Sequence, residues 1–304
     1  MGTAPGRSYH HRRFGPVAMA AAKRGRSVSV CLPARDEEAT VGTIVSAIRR
    51  SLVEEVALVD ELLVVDDGSS DGTAAIARAA GARVVRTAEG PGGDGGPGKG
   101  QALWSALAAS RGDLVVFCDA DVVNFGPHFV TGLLGPLLLE DDVALVKGYY
   151  RRPLGQEPAG GGRVTELVAR PLLATLFPHL GGICQPLAGE TASRREVLEQ
   201  LPFAHGYGVE LGLLVDVAAR FGSRSIAQVD LGVRVHRNRA LDELATQATA
   251  VLQVALDRAG FQAASPVTLR RPGRSAEVVV SGERPALAAP AEPRPAGSGG
   301  PSGE

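Results

Sequence analysis

At 304 residues and 44% hydrophobic content, the chain is long enough for one large domain or two small ones around a sizeable core. A net charge of −1 gives no global reason to expect nucleic acid or an anionic membrane as partner. No apolar run is long enough to span a bilayer, and Lys23 cuts short the run from Val17 to Ala22, which argues against a secretory signal.

Residues 1–26 are small, basic and aperiodic and are expected to form a disordered leader. Ser27 to Leu32 alternates and is β-branched, the pattern of a first strand. Pro33 ends it. Asp36 is placed to cap a helix reaching about Leu52, with Glu37 and Glu38 in its first turn and Val41, Ile44, Val45 and Ile48 on one face. Leu62 to Val65 is a second buried strand, ending in Asp66-Asp67-Gly68-Ser69-Ser70-Asp71-Gly72-Thr73. There Asp71 can cap the next helix, and Gly68 and Gly72 permit a tight turn. Arg83 to Val85 is a short third strand. A Gly-rich loop over 90–100 carries Lys99 just before a helix from about Gln101 to Ser110, an arrangement that favours phosphate but is weak on glycines alone.

Leu114-Val115-Val116-Phe117-Cys118 is a continuous apolar run, the pattern of a strand buried on both faces, and it leads into Asp119-Ala120-Asp121. In extended chain Asp119 and Asp121 project to one side, at the carboxyl edge where open α/β sheets bind ligands. Two hard oxygen donors there suit a divalent cation shared with phosphate oxygens. An isolated Asp-x-Asp can equally be a polar turn capping a core strand. The alternation of strands and helices over 27–121 implies a mostly parallel sheet with helices on both faces and its acidic strand ends on one edge. The three cysteines (Cys31, Cys118, Cys184) lack metal-ligand spacing, and buried free thiols in a reducing cytoplasm are expected.

The second half departs from strict alternation. Ala144 to Tyr150 is a strand followed by Arg151-Arg152-Pro153. Gly160 to Glu166 opens a helix reaching about Phe177, and its glycine turn with Arg163 is a candidate anion site. Gln185 to Thr191 and Phe203 to Gly208 are loops. Glu210 opens a helix to about Phe221. Ile226 to Val235 is a strand ending in His236-Arg237-Asn238-Arg239, and Leu241 to Ala259 is an amphipathic helix. Composition turns to Pro, Ala, Gly and Arg from about Pro272, and 263–304 is expected to be a disordered tail.

Together, Pro33 to Glu38, Asp66 to Thr73 and Asp119 to Asp121 resemble a GT-A glycosyltransferase of the family-2-like kind. Pro97 to Trp104, Leu145 to Pro153, Gly160 to Leu167, Gln185 to Glu190, Phe203 to Leu214 and Val235 to Arg239 resemble the glucosyl-3-phosphoglycerate synthase family. The likeness covers about residues 27–258. It implies an α/β GT-A fold with a Rossmann-like, mostly parallel sheet and a smaller C-terminal acceptor-binding part. The nucleotide-sugar half would span 27–150, and the acceptor-binding, metal-completing half 151–262. The implied reaction is retaining transfer of glucose from UDP-glucose, or another nucleoside diphosphate glucose, to the 2-hydroxyl of 3-phosphoglycerate, with Mg²⁺ or Mn²⁺ as cofactor. The product feeds glucosylglycerate and methylglucose lipopolysaccharide synthesis, and the enzyme is a cytoplasmic homodimer.

By the same resemblance, Pro33, Ala34, Glu37 and Asp67 hold the uridine, and Lys99 meets the nucleotide. Asp119 contacts the ribose or the metal, and Asp121 and His236 bind the metal. Gly162, Arg163, Thr165 and Asn238 hold the acceptor, while Glu210, Tyr207 and the Leu187 backbone bind glucose. No obligate nucleophile stands out, so catalysis rests on positioning and electrostatics around Asp121, His236, Glu210 and Lys99. Asp67 stands where close relatives often have Ser. Ala120, also a departure, should point away from the ligand. The alternatives are a mannosyl-3-phosphoglycerate synthase, a polyprenyl-phosphate glycosyltransferase, which would want a membrane helix or basic amphipathic surface, and a nucleotide-sugar-binding sensor without turnover.

Overall fold

A computed structural model describes residues 7–87, 98–153, 162–235 and 241–288, the last segment without the side chains of 241–243. The apolar runs become the centre of an eight-stranded sheet. β1 (Ser8–His10) and α1 (Pro16–Ala22) precede β2 (Val28–Ala34), α2 (Val41–Ile48), β3 (Glu61–Asp66), α3 (Thr73–Ala79), β4 (Arg83–Arg86), α4 (Lys99–Ala109) and β5 (Leu114–Phe117). Then follow α5 (His128–Leu139), β6 (Leu145–Arg151), α6 (Arg170–Leu176), β7 (Thr191–Arg194), α7 (Arg195–Leu198), β8 (Phe203–Ala204), α8 (Val209–Phe221), β9 (Ile226–Val233) and α9 (Leu241–Arg258). The order across the sheet is β1-β9-β6-β7-β5-β2-β3-β4. Every neighbour pair is parallel except those made by β7, which runs antiparallel to both β5 and β6.

Period-two alternation sends the strands' side chains into two cores. Val30, Leu32, Val64, Leu114 and Val116 face one core, with α2 and α5. Cys31, Leu63, Val65, Val115 and Phe117 face the other, with α4 and α8. Cys31 and Cys118 are buried free thiols, as their apolar surroundings implied, and Cys184 is free and half-buried. No described helix is long and apolar enough to cross a membrane.

Three expectations need correction. The leader is not disordered over 7–26. β1 pairs with β9, and Phe14 and Met19 are 2% and 3% exposed. A side chain at Gly135 would fall 2.2 Å from the Phe14 ring, so α5 is shaped to receive this segment. Residues 263–288 of the tail are likewise placed. β10 (Val267–Leu269) pairs with β11 (Glu277–Val279), and β12 (Glu283–Arg284) pairs with β8. Buried Val279 and Arg284 anchor them, an interaction no local pattern announces. Finally, Asp36 does not cap α2, which begins at Val41 after Thr40. Asp36 sits at φ 56°, and its carboxylate accepts from the Ser70 amide and hydroxyl, tying the end of β2 to the turn after β3. The cap position of α3 is Gly72, and Asp71, one residue earlier, accepts from the amide of the first helical residue, Thr73, at 2.9 Å.

Candidate active site

The acidic strand ends converge on a cleft of about 760 Å³ at the carboxyl edge of β2, β3 and β5. It is lined by Pro33, Ala34, Glu37 and Asp67 on one side, and by Gly162, Arg163, Thr165, Leu187, Tyr207 and Glu210 on the other. Lys99, Asp119 and Asp121 lie between. Of the expected site residues, His236 and Asn238 lie outside the described residues.

The Asp-x-Asp turn has the predicted facing. Ala120 is 2% exposed in the same core as Cys118, while the carboxylates on either side turn to the cleft. Thr40 fixes the turn by donating to the Ala120 carbonyl at 2.6 Å. Lys99 is the first residue of α4, and its ammonium lies 2.7 Å from Asp119 Oδ1 and 2.6 Å from Glu210 Oε1. It therefore ties the strand-end acid to the start of α8. Burial works against the Lys99 charge, but Asp119 and Glu210 outweigh it and hold the group cationic. Burial likewise opposes the Asp119 carboxylate. The Lys99 and Arg234 charges prevail and keep it far below the usual carboxylate range. Asp67, 6% exposed, is raised by burial, against hydrogen bonds from the Thr87 hydroxyl at 2.9 Å and the Gly98 amide.

Arg234, just after β9, escaped the sequence reading. It is 3% exposed, and its Nη2 bridges Asp119 Oδ2 at 2.9 Å and Asp121 Oδ1. Its Nη1 donates to the Tyr150 hydroxyl at 2.7 Å and lies 3.3 Å from Glu190 Oε2. Tyr150 accepts a second bond from Arg152 Nη2 at 2.8 Å and donates to Glu190 at 2.6 Å. Burial pushes the Tyr150 phenol up to about 12, so it stays a donor at neutral pH. The available signal was a charged residue inside the apolar run Ile226 to Val235, which does not reveal what it faces.

Lys147 also went unremarked. It is 2% exposed, and burial pulls it down to about 8. Its ammonium donates to the Ala188 carbonyl at 2.6 Å and the Thr191 hydroxyl at 2.9 Å, pinning the turn that carries Leu187 and Gly189. A Cβ at Gly189 would fall 2.1 Å from Asp119 Oδ1, so only glycine lets this turn approach the aspartate. Gly162, at φ 82°, turns the chain into the helix that begins with Arg163, and Thr165 is 5% exposed beneath it.

The pattern of glycosyl transferase family 2 matches residues 29–169. The glucosyl-3-phosphoglycerate synthase of Mycolicibacterium smegmatis is 56% identical over 259 residues, 84% of this chain and 84% of that protein. That of Mycolicibacterium paratuberculosis is 54% identical over 263 residues, 84% of this chain and 79% of that protein. The chain belongs to the glucosyl-3-phosphoglycerate synthase family. It is a glycosyltransferase with the GT-A-like α/β fold. The crystal structure of the Mycobacterium tuberculosis synthase with Mn²⁺, UDP-glucose and phosphoglyceric acid superposes with a TM-score of 0.85. It is 48% identical in sequence, over 94% of this chain and 99% of that one. A further complex of that enzyme holds Mn²⁺, UDP and the product glucosyl-3-phosphoglycerate.

The two aspartates suit a divalent ion. Their carboxylates converge on one positive centre, the Arg234 guanidinium, and the Asp121 side chain keeps 27% of its surface accessible in the cleft. Among the described residues no three His, Cys, Asp or Glu side chains gather around a metal position, so a site using Asp121 needs a ligand from elsewhere.

Proposed function

We propose that the chain transfers glucose from UDP-glucose to the 2-hydroxyl of 3-phosphoglycerate, with retention at the anomeric carbon and with Mn²⁺ or Mg²⁺ as cofactor. The observation that carries this reading is one cleft lined both by Pro33, Ala34, Glu37, Asp67 and Asp119 and by Gly162, Arg163 and Thr165. The first set suits a uridine nucleotide and the second an anionic acceptor. Asp121, with His236, is the proposed metal-holding pair. When bound, the ion offsets negative charge on the departing diphosphate.

The chain's own groups do the positioning. Lys99 orients Asp119 and Glu210 together, and places positive charge beside the donor. Because Lys99 holds Glu210 at 2.6 Å, that carboxylate acts as a fixed acceptor for glucose hydroxyls rather than as a nucleophile. Tyr207 and the Leu187 backbone complete the sugar pocket. Arg163 and the Gly162 turn take the acceptor phosphate, and Asn238 is a further acceptor contact. A cytoplasmic homodimer belongs to the same proposal, and light scattering of the purified protein checks its oligomeric state.

The decisive assay offers UDP-glucose or GDP-mannose with 3-phosphoglycerate, plus Mn²⁺ or a chelator. Transfer is expected only with UDP-glucose and metal. Asp121→Ala should lower kcat/KM by roughly a hundredfold or more while leaving the thermal midpoint unchanged. Metal-independent transfer, or full activity in the variant, would overturn the assignment.

A further inference from the structure

The cations that line the cleft and are held by hydrogen bonds differ in one respect. Lys99 pairs with two carboxylates and Arg234 with three. Arg152 also lines the cleft, yet among the described residues it has no carboxylate partner. Its guanidinium lies 5.0 Å over the Tyr150 ring, and Nη2 donates to the Tyr150 hydroxyl at 2.8 Å. Its Nε is buried with no hydrogen-bond partner. Arg234 Nε is likewise buried and unpaired, but its guanidinium faces three carboxylates; a held guanidinium that faces none marks a place for an anion.

The location of Arg152 says which anion. Its Nη1 lies 3.8 Å from where a side chain at Gly162 would begin, on the turn given the acceptor phosphate above. On its other side, the Tyr150 hydroxyl links it to Arg234 and so to Asp119 and Asp121. Arg152 thus stands between the phosphate end and the donor end. In 3-phosphoglycerate the carbon that bears the reacting hydroxyl is bonded directly to the carboxylate carbon, while the phosphate is one carbon further on the opposite side. An acceptor stretched from Gly162 toward the donor brings its carboxylate past Arg152. We infer that Arg152 is the carboxylate anchor of the acceptor site, and so a residue that selects 3-phosphoglycerate over glycerol 3-phosphate. This rests on the acceptor reading above.

Binding of both acceptors is measured calorimetrically in the presence of Mn²⁺ and UDP. Arg152→Gln should weaken 3-phosphoglycerate roughly 10- to 100-fold and glycerol 3-phosphate less than about threefold, with UDP affinity unchanged. Arg152→Lys, which keeps the charge but loses the fork, should fall between for 3-phosphoglycerate. Equal weakening of the two acceptors, or weakening of neither, overturns the inference. If Arg152→Gln does not fold, Arg152→Lys carries the test on the same criterion. Unaltered protein that neither binds nor glucosylates 3-phosphoglycerate would instead refute the acceptor reading, and the anchor with it.

Discussion

Pro33, Asp67 and Asp119 follow one another at the ends of three adjacent parallel strands, each delivered by its own βα unit. The facing wall is assembled differently. It takes Arg152 from the end of β6, Leu187 from a turn pinned by buried Lys147, Glu210 from α8, and Arg234 from beyond β9, with Tyr150 and Glu190 holding the two arginines. On the first side backbone ladders bring the strand ends together, and single hydrogen bonds such as Ser70 to Asp36 and Thr40 to the Ala120 carbonyl pin the turns. On the second, position depends on charges and hydroxyls reaching across more than 30 residues of chain. Parallel ladders therefore carry most of the donor wall, and buried charges most of the acceptor wall.

That contrast can be broken experimentally. Lys99→Met removes the cation between Asp119 and Glu210, leaving buried Glu210 without its ion pair and Asp119 with Arg234 alone. A loss of about 3 kcal/mol in urea unfolding is expected. Thr87→Val, which removes a neutral hydroxyl shared between Asp67 and the Asp66 carbonyl on the donor wall, should cost about 1 kcal/mol. Equal losses would erase the distinction. Gly189→Ala pushes a methyl into the Asp119 carboxylate, displacing it from Lys99 and Arg234. kcat/KM should fall by roughly a hundredfold and the thermal midpoint should drop with it, because the Asp119 ion pairs are broken, and undiminished activity would show that Asp119 tolerates displacement.

The smallest effect concerns the segment that flanks β9. Burial, then the neighbouring charges of His128 and His10, lower His11 from its ordinary 6.5 to about 4, with Arg12 adding to the shift and Asp230 opposing it. The unfolded chain therefore binds this proton more readily. The contribution is whole above about pH 6.5 and drains away as pH falls through about 4. Thermal midpoints should decline modestly over that window, and His11→Gln should flatten the decline. A variant that keeps the same slope would place the acid sensitivity elsewhere.

Several features were legible because they are local. The runs that became β2, β3 and β5 are apolar on both faces, Asp71 lies two residues before its helix amide, and the inward turn of Ala120 follows from strand geometry. α5 was not legible. It is buried on every side, so it has no amphipathic period, and Pro136 and two glycines interrupt it. β7 was missed because four residues running antiparallel carry too little pattern.

The amino-acid order alone settled the alternation of strands and helices, the grouping of acids at one sheet edge and the family resemblance, since each depends on neighbours within a few turns or strand lengths. Only the tertiary structure settled which charges face one another: Arg234 on the aspartates, Lys99 on Glu210, and Arg152 with no carboxylate among the described residues. The energy of a buried charge is set by partners distant in sequence, and no periodicity records them.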